Sequence, residues 1–434
     1  MNESQAHGIL QRTLDASSAE AVVATLNGGT SATTRLADNV ITQNFESSRA
    51  VLTVSCAYGQ SHGTASTEDL GDESIKAVVE AAQAIAKSMP PDPEYMPPVE
   101  SAETGKYAKV DGYSDQTAGF GPQEKGSQLA AAAKGVAGKK YRLSGAYTSA
   151  DEFLAIANSA GLKAYHCSTP GEIHLTAIGN NGSGWAEKIS NNTDEIDVAA
   201  VADEALRIAE MAQDPADLEA GKHTLIMQPA AVGELLMFFF WMGFDAKAAD
   251  EGHNFLRGKL GQKIAPETIT IRSNPAEPNC LSEPFQHDGL ASRTISWIDK
   301  GTLANMMYSR FWAKKQGKAP TGYPSNVIMD GGTASVDEIV ASTERGLLVT
   351  RFWYIRTVDP MKPLLTGMTR DGLFRIEDGR IAGAVKHMRF NENPLDTLGR
   401  IEAMSSPQRT GEWMAMLIPA LKVRDFNFTS TTKF

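Results

Sequence analysis

Apolar residues in this sequence are most concentrated in one run, Thr224–Phe244. Within it, Leu225–Met227 predicts a short buried strand, and Pro229 suits the first turn of a helix. The next segment, Leu235–Trp241, predicts an apolar helix without a polar face, and such helices lie inside a large core or in a membrane. The apolar stretch is shorter than the ~20 residues that span a bilayer. We therefore expect a core helix of a soluble protein.

Short strand-like patterns dominate the N-terminal part of the chain. They read AVVATL, SATTRLA, VITQNFE and AVLTVSCAYG, and turn residues at Asn27-Gly28-Gly29 and Asp38-Asn39 separate them. A helix is predicted after them, because apolar residues recur at helical spacing from Ile75 to Ala86 and Asp72 suits its N-cap. The proline cluster in MPPDPEYMPP ends that helix. We predict a strand-plus-helix domain over residues 1–105.

A second strand-plus-helix domain is predicted over residues 106–218. It begins with a loop rich in Pro, Gly, Ser and charge, and an alanine-rich helix follows near Gln128–Ala137. Helical spacing also predicts a helix over Asp194–Ala212. The strand candidates between the two helices are Tyr141–Tyr147, Glu152–Asn158, Lys163–Cys167 and Glu172–Ile178, with a turn at Asn180-Asn181-Gly182.

Strand and turn patterns also dominate residues 219–434. The Asp-Gly in IEDGRI predicts a hairpin, and Ser335 and Gly346 delimit a helix over Val336–Arg345. This third domain is predicted to be mostly antiparallel β-structure that carries the apolar helix. We expect that helix to be buried over Leu235–Phe244, with Phe239, Phe240 and Trp241 packed in the domain. The fold class is therefore α+β.

Composition excludes several classes of function. The net charge of −11 is spread along the 434 residues without a basic patch, which argues against nucleic-acid binding. The first residues, MNESQAHGIL, lack the basic and apolar regions of a secretory signal. Cys56, Cys167 and Cys280 lie far apart, so a disulfide framework or a CxxC metal site is not expected. We predict a cytoplasmic protein that binds neither nucleic acid nor membrane.

Several segments, spread over nearly the full length of the chain, carry a resemblance to a known family. In the N-terminal domain the resemblance lies in ITQNFESSRAVLTVSCAYGQSHGTAST and the helix that follows. It is stronger in the C-terminal domain, in GHNFLRGKLGQKIAPETITI, HDGLASRTISWIDKGTL, APTGYPSNVIMDGG and TGMTRDGLFRIEDGRIAGAVKHMRF. Taken together, these segments resemble the TldD/PmbA family of peptidases. Their order and spacing make the resemblance specific, although each piece alone is weak.

The resemblance implies two kinds of subunit, of which the TldD-like kind carries a zinc-binding His-Glu-x-x-x-His motif. A glutamate between histidines suits zinc hydrolysis, because imidazoles hold the metal and the carboxylate takes a proton from bound water. Here Met237, Phe238 and Met242 stand at the three motif positions. The resemblance also implies a zinc-binding cysteine near the end of TldD-like subunits, whereas no cysteine follows Cys280 in this chain. The chain thus resembles the TldE/PmbA-like subunit, which has no metal of its own. A zinc-bearing TldD-like partner, a heterodimer and a peptide substrate are implied.

Other residues could still hold a metal or a peptide. His253 and His287 are weak metal candidates, because their spacing matches no zinc pattern, and solvated loop residues are the simpler interpretation. Strand alternation in RFWYIRTV places Arg351, Trp353 and Ile355 on one face and Phe352, Tyr354 and Arg356 on the other. Together with Arg370, the residues Arg351, Tyr354 and Arg356 form a candidate patch for a peptide carboxylate. Ordinary surface arginines beside a β core are the simpler interpretation.

Three hypotheses for the function remain open. The first is a subunit of a peptidase complex, the second a stand-alone homodimeric hydrolase with a non-standard site, and the third a non-enzymatic peptide-binding scaffold that uses a β-edge. Trp312 and Trp413 could anchor an interface, but local core packing is the simpler interpretation for both, and we assign neither to an interface. His166 and Cys167 are adjacent strand residues that point to opposite faces, so we expect no nucleophile–base pair there.

Overall fold

A computed structural model describes residues 1–359, 361–411 and 414–432. Its first seven strands are β1 (Ala21–Ala37), β2 (Val40–Tyr58), β3 (Ser61–Thr67), β4 (Arg142–Asn158), β5 (Lys163–Ser168), β6 (Gly171–Ile178) and β7 (Ser183–Ser190). They form one antiparallel sheet in the order β3-β2-β1-β4-β6-β7, and β5 pairs with β4. The sheet therefore continues across residue 105, where the sequence places a domain boundary.

Helices cover this first sheet. They are α1 (Glu3–Asp15), α2 (Asp72–Ser88), α3 (Asp115–Ala118), α4 (Pro122–Gly138) and α5 (Val198–Met211). A core cluster joins α1 and α2 to β1 and β2 through side chains such as Leu10, Val79 and Leu52. A second cluster joins α4 and α5 to β4 and β6 through Leu129, Leu206 and others. Each pair of helices thus buries its apolar side on the sheet.

Two glycines in β1 overturn the prediction of a turn at residues 27–29. The strand runs through Gly28 and Gly29 without interruption. A Cβ atom at Gly28 would lie 2.1 Å from the carbonyl oxygen of Arg49, and one at Gly29 would lie 2.0 Å from that of Asp151. The glycines therefore allow the backbones of neighbouring strands to approach closely, which a pattern of turn residues does not distinguish from a turn.

The third domain contributes the remaining strands. They are β8 (Gly221–Met227), β9 (Ile271–Ser273), β10 (Ile295–Asp299), β11 (Thr302–Leu303), β12 (Val327–Met329), β13 (Arg345–Asp359), β14 (Leu364–Glu377), β15 (Arg380–Ala384), β16 (Met388–Glu392), β17 (Ile401–Met404), β18 (Gln408–Thr410), β19 (Met416–Ile418) and β20 (Leu421–Thr431). Its helices are α6 (Pro229–Gly243), α7 (Ala246–Asp250), α8 (Arg310–Lys315), α9 (Val336–Ala341) and α10 (Pro394–Leu398).

These strands form a barrel and a separate sheet. The pairings β8–β13, β13–β14, β14–β16, β16–β20 and β20–β8 close a ring. The other sheet has the order β11-β10-β9-β12-β19-β18. Most pairings are antiparallel, and β8–β13 and β12–β19 are parallel. The α+β class and the mostly antiparallel third domain are confirmed.

Local signals at the turns and at α9 are largely confirmed. Asp38-Asn39 and Asp378-Gly379 have positive φ at both positions, as a two-residue hairpin of type I′ requires. Ser335 caps α9 in a capping box with Glu338. The predicted end of that helix at Arg345 is wrong, because Arg345 already begins β13.

Helix α6 lies in one core shared by the barrel and the separate sheet. Phe239 and Phe240 are buried, and the ring of Phe240 stacks on that of Phe244 at 4.2 Å between centroids. The prediction for Trp241 is wrong, because its side chain is 73% exposed. Successive helix residues point about 100° apart, so an all-apolar helix does not reveal which side faces outward. Within the described residues, no helix has the length and apolar character needed to cross a membrane.

Two truncations on this helix should therefore differ sharply. We expect Phe239→Ala to lower the free energy of unfolding by ~3–5 kcal/mol, because it leaves a cavity in a closed core. Trp241→Ala should change it by less than ~1 kcal/mol, because the indole is solvated. Urea unfolding monitored by far-ultraviolet circular dichroism measures both. Equal losses would show that the outer side of α6 is covered in solution.

Candidate functional site

A cavity of about 420 Å³ opens where the first sheet meets the third domain. Strands β6 and β7 line one side, and α6, β13 and the segment around β18 line the others. Its charged and aromatic lining residues are Glu172, His174, Trp185, Glu187, Glu234, Phe238, Arg351, Trp353, Tyr354 and Arg356. An apolar pocket with a few convergent polar groups is the usual form of a ligand site. We call it the α6 cavity.

Two of the three motif positions line the α6 cavity. Met237 and Phe238 are partly buried on the side of α6 that faces it. The sulfur of Met242 lies instead 3.0 Å from the hydroxyl of Thr357, and Met242 is not a lining residue. At these two motif positions the helix therefore presents a thioether and a phenyl ring to the cavity, neither of which can act as an acid, a base or a good zinc ligand.

The predicted alternation along β13 is wrong after Trp353. Phe352 and Ile355 are both buried, although the alternation placed them on opposite faces. Tyr354 has a φ of 56°, and the register with β14 shifts between Trp353 and Arg356. A bulge of this kind adds residues to one strand and re-aims the side chains beyond it. Trp353 and Tyr354 are consequently both exposed beside the cavity.

Arg351 is committed to an ion pair inside the protein. Its Nε and Nη2 atoms donate to one oxygen of Asp371 at 2.9 Å and 2.6 Å, and the Asp371 side chain is 4% exposed. Ser183 donates to the other oxygen at 2.7 Å. The guanidinium also lies over the ring of Trp185, at 4.6 Å from its centroid. Arg351 therefore joins β7 to the barrel, and its charge is already compensated.

The other residues of the predicted patch are placed differently. Arg356 lines the cavity, lies over the ring of Tyr354 at 4.2 Å and is exposed. Arg370 is not a lining residue. It lies over Trp353 at 4.2 Å and is 3.6 Å from Asp371. Three of the four residues of the predicted patch therefore line the cavity, and Arg370 does not. Among the three, Arg356 is the exposed cation.

Glu187 is the residue of the cavity with the most perturbed acidity. Burial raises the pKa of Glu187 to about 7, and the hydroxyl of Thr410, which donates to it, opposes the rise. The charge of Glu172 raises this pKa further, whereas those of His174 and Arg351 lower it. A carboxyl group with a pKa near 7 can hold or release a proton at neutral pH, as general acid–base chemistry requires.

The sequence prediction missed the whole wall formed by β6 and β7. Glu172 and His174 alternate with buried Ile173 and Leu175 in EIHLTAI. Period-two spacing of polar residues thus marks one face of β6 as available for a site. Nothing local to β6 indicates that this face meets α6, because the two segments lie far apart in the chain.

The two weak metal candidates lie apart from the α6 cavity. The side chain of His253 is 72% exposed and 3.8 Å from Glu251. His287 lines a separate cavity of about 330 Å³, which His166 and Glu283 also line. In the described part of the chain, no group of three or more His, Cys, Asp or Glu side chains is placed to hold a metal ion.

The other residues singled out in the sequence lie in ordinary surroundings. Trp312 is buried, and its indole N–H donates to Asp250 at 2.7 Å, so it belongs to the local core. Trp413 lies outside the described residues. Burial raises the pKa of the Cys167 thiol and raises that of Cys280 to about 11, which makes both poor nucleophiles.

Models of one protein family match most of the chain. The PmbA/TldA metallopeptidase C-terminal domain matches residues 220–430, and the PmbA/TldA metallopeptidase domain 1 matches residues 23–86. The chain belongs to the PmbA/TldD family. The first match covers the barrel, the separate sheet and α6, and therefore one side of the α6 cavity.

Relatives within the PmbA/TldD family are distant. A metalloprotease of Methanothermobacter thermautotrophicus is 25% identical over 294 residues, which are 61% of this chain and 62% of the relative. A metalloprotease PmbA homolog of Haemophilus influenzae is 23% identical over 316 residues, 69% of each protein. The match to the first relative therefore spans only about three fifths of that protein's length.

A solved structure of this family shows the same fold. TldE from Thermococcus kodakarensis superposes with a TM-score of 0.89 and 19% identity, over 98% of this chain and 99% of that one. The fold is thus TldE-like over nearly all of this chain. At this level of identity, the likeness concerns the fold alone.

The raised pKa of Glu187 gives a prediction about stability. Folded Glu187 holds its proton to a higher pH than the unfolded chain does, so its contribution to stability is lost as pH rises from about 4.5 through about 7. Glu187→Gln cannot ionise. We therefore compare the free energy of unfolding of this variant with that of the parent. The difference should shift in favour of the variant by ~1–3 kcal/mol as the pH rises from about 5 to about 8.

Urea unfolding at both pH values measures that gain. Glu80→Gln, which removes an exposed carboxylate from α2, is the matched control and should gain little. A Glu187→Gln variant whose difference from the parent is independent of pH would show that Glu187 ionises normally in the folded chain.

Proposed function

We propose that this chain is the TldE/PmbA-like subunit of a TldD/TldE-type metallopeptidase complex that cleaves short or unfolded peptides. The observation that carries the proposal is the chemistry of α6 at the cavity. Family resemblance aligns Met237 and Phe238 with the first histidine and the glutamate of the zinc motif, and both line the cavity in this chain. The helix is retained while its metal-binding groups are replaced.

The residues at the motif positions do not fit zinc. A thioether is a poor ligand for Zn²⁺, and a phenyl ring is none. The sulfur of Met242 is turned toward Thr357, away from the cavity lining. We therefore assign no zinc-dependent step to this chain, and the proposal places the zinc in a TldD-like partner subunit.

The α6 cavity can still contribute to peptide binding. Phe238, Trp353 and Tyr354 offer aromatic surface for the side chains of an extended peptide, and Arg356 offers a cation at the rim. Trp241 continues the aromatic surface, with its ring 5.9 Å from that of Phe238. Aromatic side chains bind flexible ligands at a small cost in conformational entropy. In this proposal, the chain shapes the chamber and holds the peptide.

One observation favours a second candidate, a stand-alone homodimeric hydrolase. Glu187, with a pKa of about 7, and His174 line the same cavity. Such a pair could move a proton to and from a water molecule. The described residues of the cavity supply no Ser or Cys nucleophile beside this pair. The complex subunit therefore remains the better-supported function.

The first test of this proposal concerns zinc. We expect the purified chain to bind less than ~0.1 zinc per chain after dialysis, because its motif positions offer no imidazole or carboxylate. Elemental analysis by mass spectrometry measures the content, with the TldD-like chain prepared in parallel as the positive control. A stoichiometric zinc signal would contradict the assignment and direct attention to His253 and His287.

The second test concerns assembly and activity. Co-expression with a TldD-like chain of the same genome should give a stable 1:1 complex that cleaves an unstructured fluorogenic peptide, whereas this chain alone should not cleave it. Replacing the partner's zinc histidines by alanine should abolish cleavage without separating the subunits.

Other results would favour the second candidate. A homodimer that ignores every TldD-like chain would contradict the subunit proposal. Cleavage by this chain alone that resists chelator and is lost in Glu187→Gln would identify a stand-alone hydrolase.

A further inference from the structure

A second cavity, of about 850 Å³, lies next to the α6 cavity. It opens between β7, which ends the first sheet, and β18, which ends the separate sheet of the third domain. The loop at residues 111–116 and the loop around Asn279 complete its wall. Glu187 lines both cavities, so β7 separates them. We call it the Arg409 cavity after the cation in its wall.

Arg409 has an unusual environment for a partly buried cation. Its Nη1 atom donates to the side-chain oxygen of Asn191 at 3.0 Å. Its Nε atom is buried and has no hydrogen-bond partner among the described residues. The ion pairs formed within the described ranges do not include Arg409. A buried charge without a counterion is costly, because desolvation is not offset by a charge–charge contact.

The acidic groups near Arg409 compensate its charge only in part. The charge of Glu195 raises the pKa of Arg409 and so stabilises the guanidinium, but the two side chains form no ion pair, and Glu195 accepts a hydrogen bond from Ser190 at 2.6 Å. Cys280 stays a neutral thiol, because burial raises its pKa to about 11. Burial lowers the pKa of Arg409 itself. Within the described part of the chain, the guanidinium thus lies near a carboxylate but forms no ion pair with one.

We propose that the Arg409 cavity binds the terminal carboxylate of a peptide, with Arg409 as the group that recognises it. A guanidinium presents a planar fork of N–H donors that matches the two oxygens of a carboxylate. An anionic ligand would supply the missing counterion. The choice of a peptide rests on the proposed function, whereas the presence of an anion site rests on Arg409 alone.

The lining of the cavity favours a carboxylate over a phosphate. Asp111, Asp115, Glu187 and Glu195 also line it, and their charges disfavour a doubly charged phosphate more strongly than a singly charged carboxylate. Amide side chains such as Asn191, Asn192 and Gln408 provide both donors and acceptors, which suit the peptide groups next to a terminal carboxylate. The volume is ample for several residues of a short peptide.

Binding of two matched peptides to the full chain tests this inference without a partner subunit. The probes are acetyl-pentaalanine with a free carboxylate and the same peptide as its amide. We expect the acid to bind about ten-fold or more tightly than the amide in isothermal titration calorimetry, as a charge-assisted hydrogen bond implies. Equal affinities, or no binding of either peptide, would overturn the proposal.

Two variants assign the preference to Arg409. Arg409→Gln should abolish the preference for the acid while its circular dichroism spectrum and melting temperature match those of the parent. Lys188→Gln, which removes an exposed cation from the same cavity, should keep it. Loss of the preference in Lys188→Gln, or its retention in Arg409→Gln, would show that Arg409 does not recognise the carboxylate. If Arg409→Gln does not fold, Arg409→Lys replaces it, and it should lose most of the preference because it lacks the fork.

Inorganic phosphate tests whether the Arg409 cavity binds a phosphate in place of a carboxylate. Phosphate at millimolar concentration should not displace the acid peptide, and displacement would overturn the assignment to a carboxylate. These measurements involve neither cleavage nor the partner subunit. A failed complex with normal acid preference would therefore refute the proposed function alone, and a working complex without acid preference would refute this inference alone.

Discussion

The packing of aromatic rings on one side of α6 is the constraint on which the rest of the third domain depends. Phe239 and Phe240 are enclosed by Phe244, Phe255 and Trp297 from surrounding segments. Protein interiors are close-packed, so these rings leave the helix little freedom to rotate. Once they are buried, Met237 and Phe238 must face the α6 cavity and Trp241 must face solvent. The chemistry of the cavity wall is thus a consequence of the core behind it.

A buried carboxylate then joins this domain to the first sheet. Asp371 adopts a positive φ and accepts hydrogen bonds from Ser183 of β7 and Arg351 of β13. Removing one partner from such a pair leaves a charge without compensation, which typically costs ~3–5 kcal/mol. The contact explains why Arg351 is structural although it lines the cavity. It also sets the distance across which β7 and the barrel enclose that cavity.

The two cavities share one strand and differ in charge. Glu187 lines both, and its acidity depends on Thr410 of β18 as well as on Glu172 of β6. Arg409 is the neighbour of Thr410 in β18 and faces the second cavity. In this short strand Thr410, which donates a hydrogen bond to the carboxyl group of Glu187, therefore lies beside Arg409, which forms no ion pair among the described residues. This arrangement arises where two sheet edges meet, a common location for ligand sites at domain junctions.

Local sequence signals predicted the structure correctly wherever the contacts that determine it lie within a few residues of one another. The hairpin turns at Asp38-Asn39 and Asp378-Gly379, the capping box at Ser335 and the helix after Pro229 follow from backbone preferences and short-range hydrogen bonds. Family resemblance added the replacement of the zinc motif, which is a matter of residue identity. Among these features, only the helix after Pro229 and the replaced motif concern the candidate site, where they form the α6 wall.

The tertiary structure alone decided the rest, because burial and charge depend on residues far apart in the chain. The continuity of β1 through Gly28 and Gly29 depends on Arg49 and Asp151, and the bulge at Tyr354 becomes visible only against β14. Exposure of Trp241 depends on which side of α6 the core covers. The pairing of Arg351, the acidity of Glu187 and the isolation of Arg409 likewise arise from segments that meet only after folding.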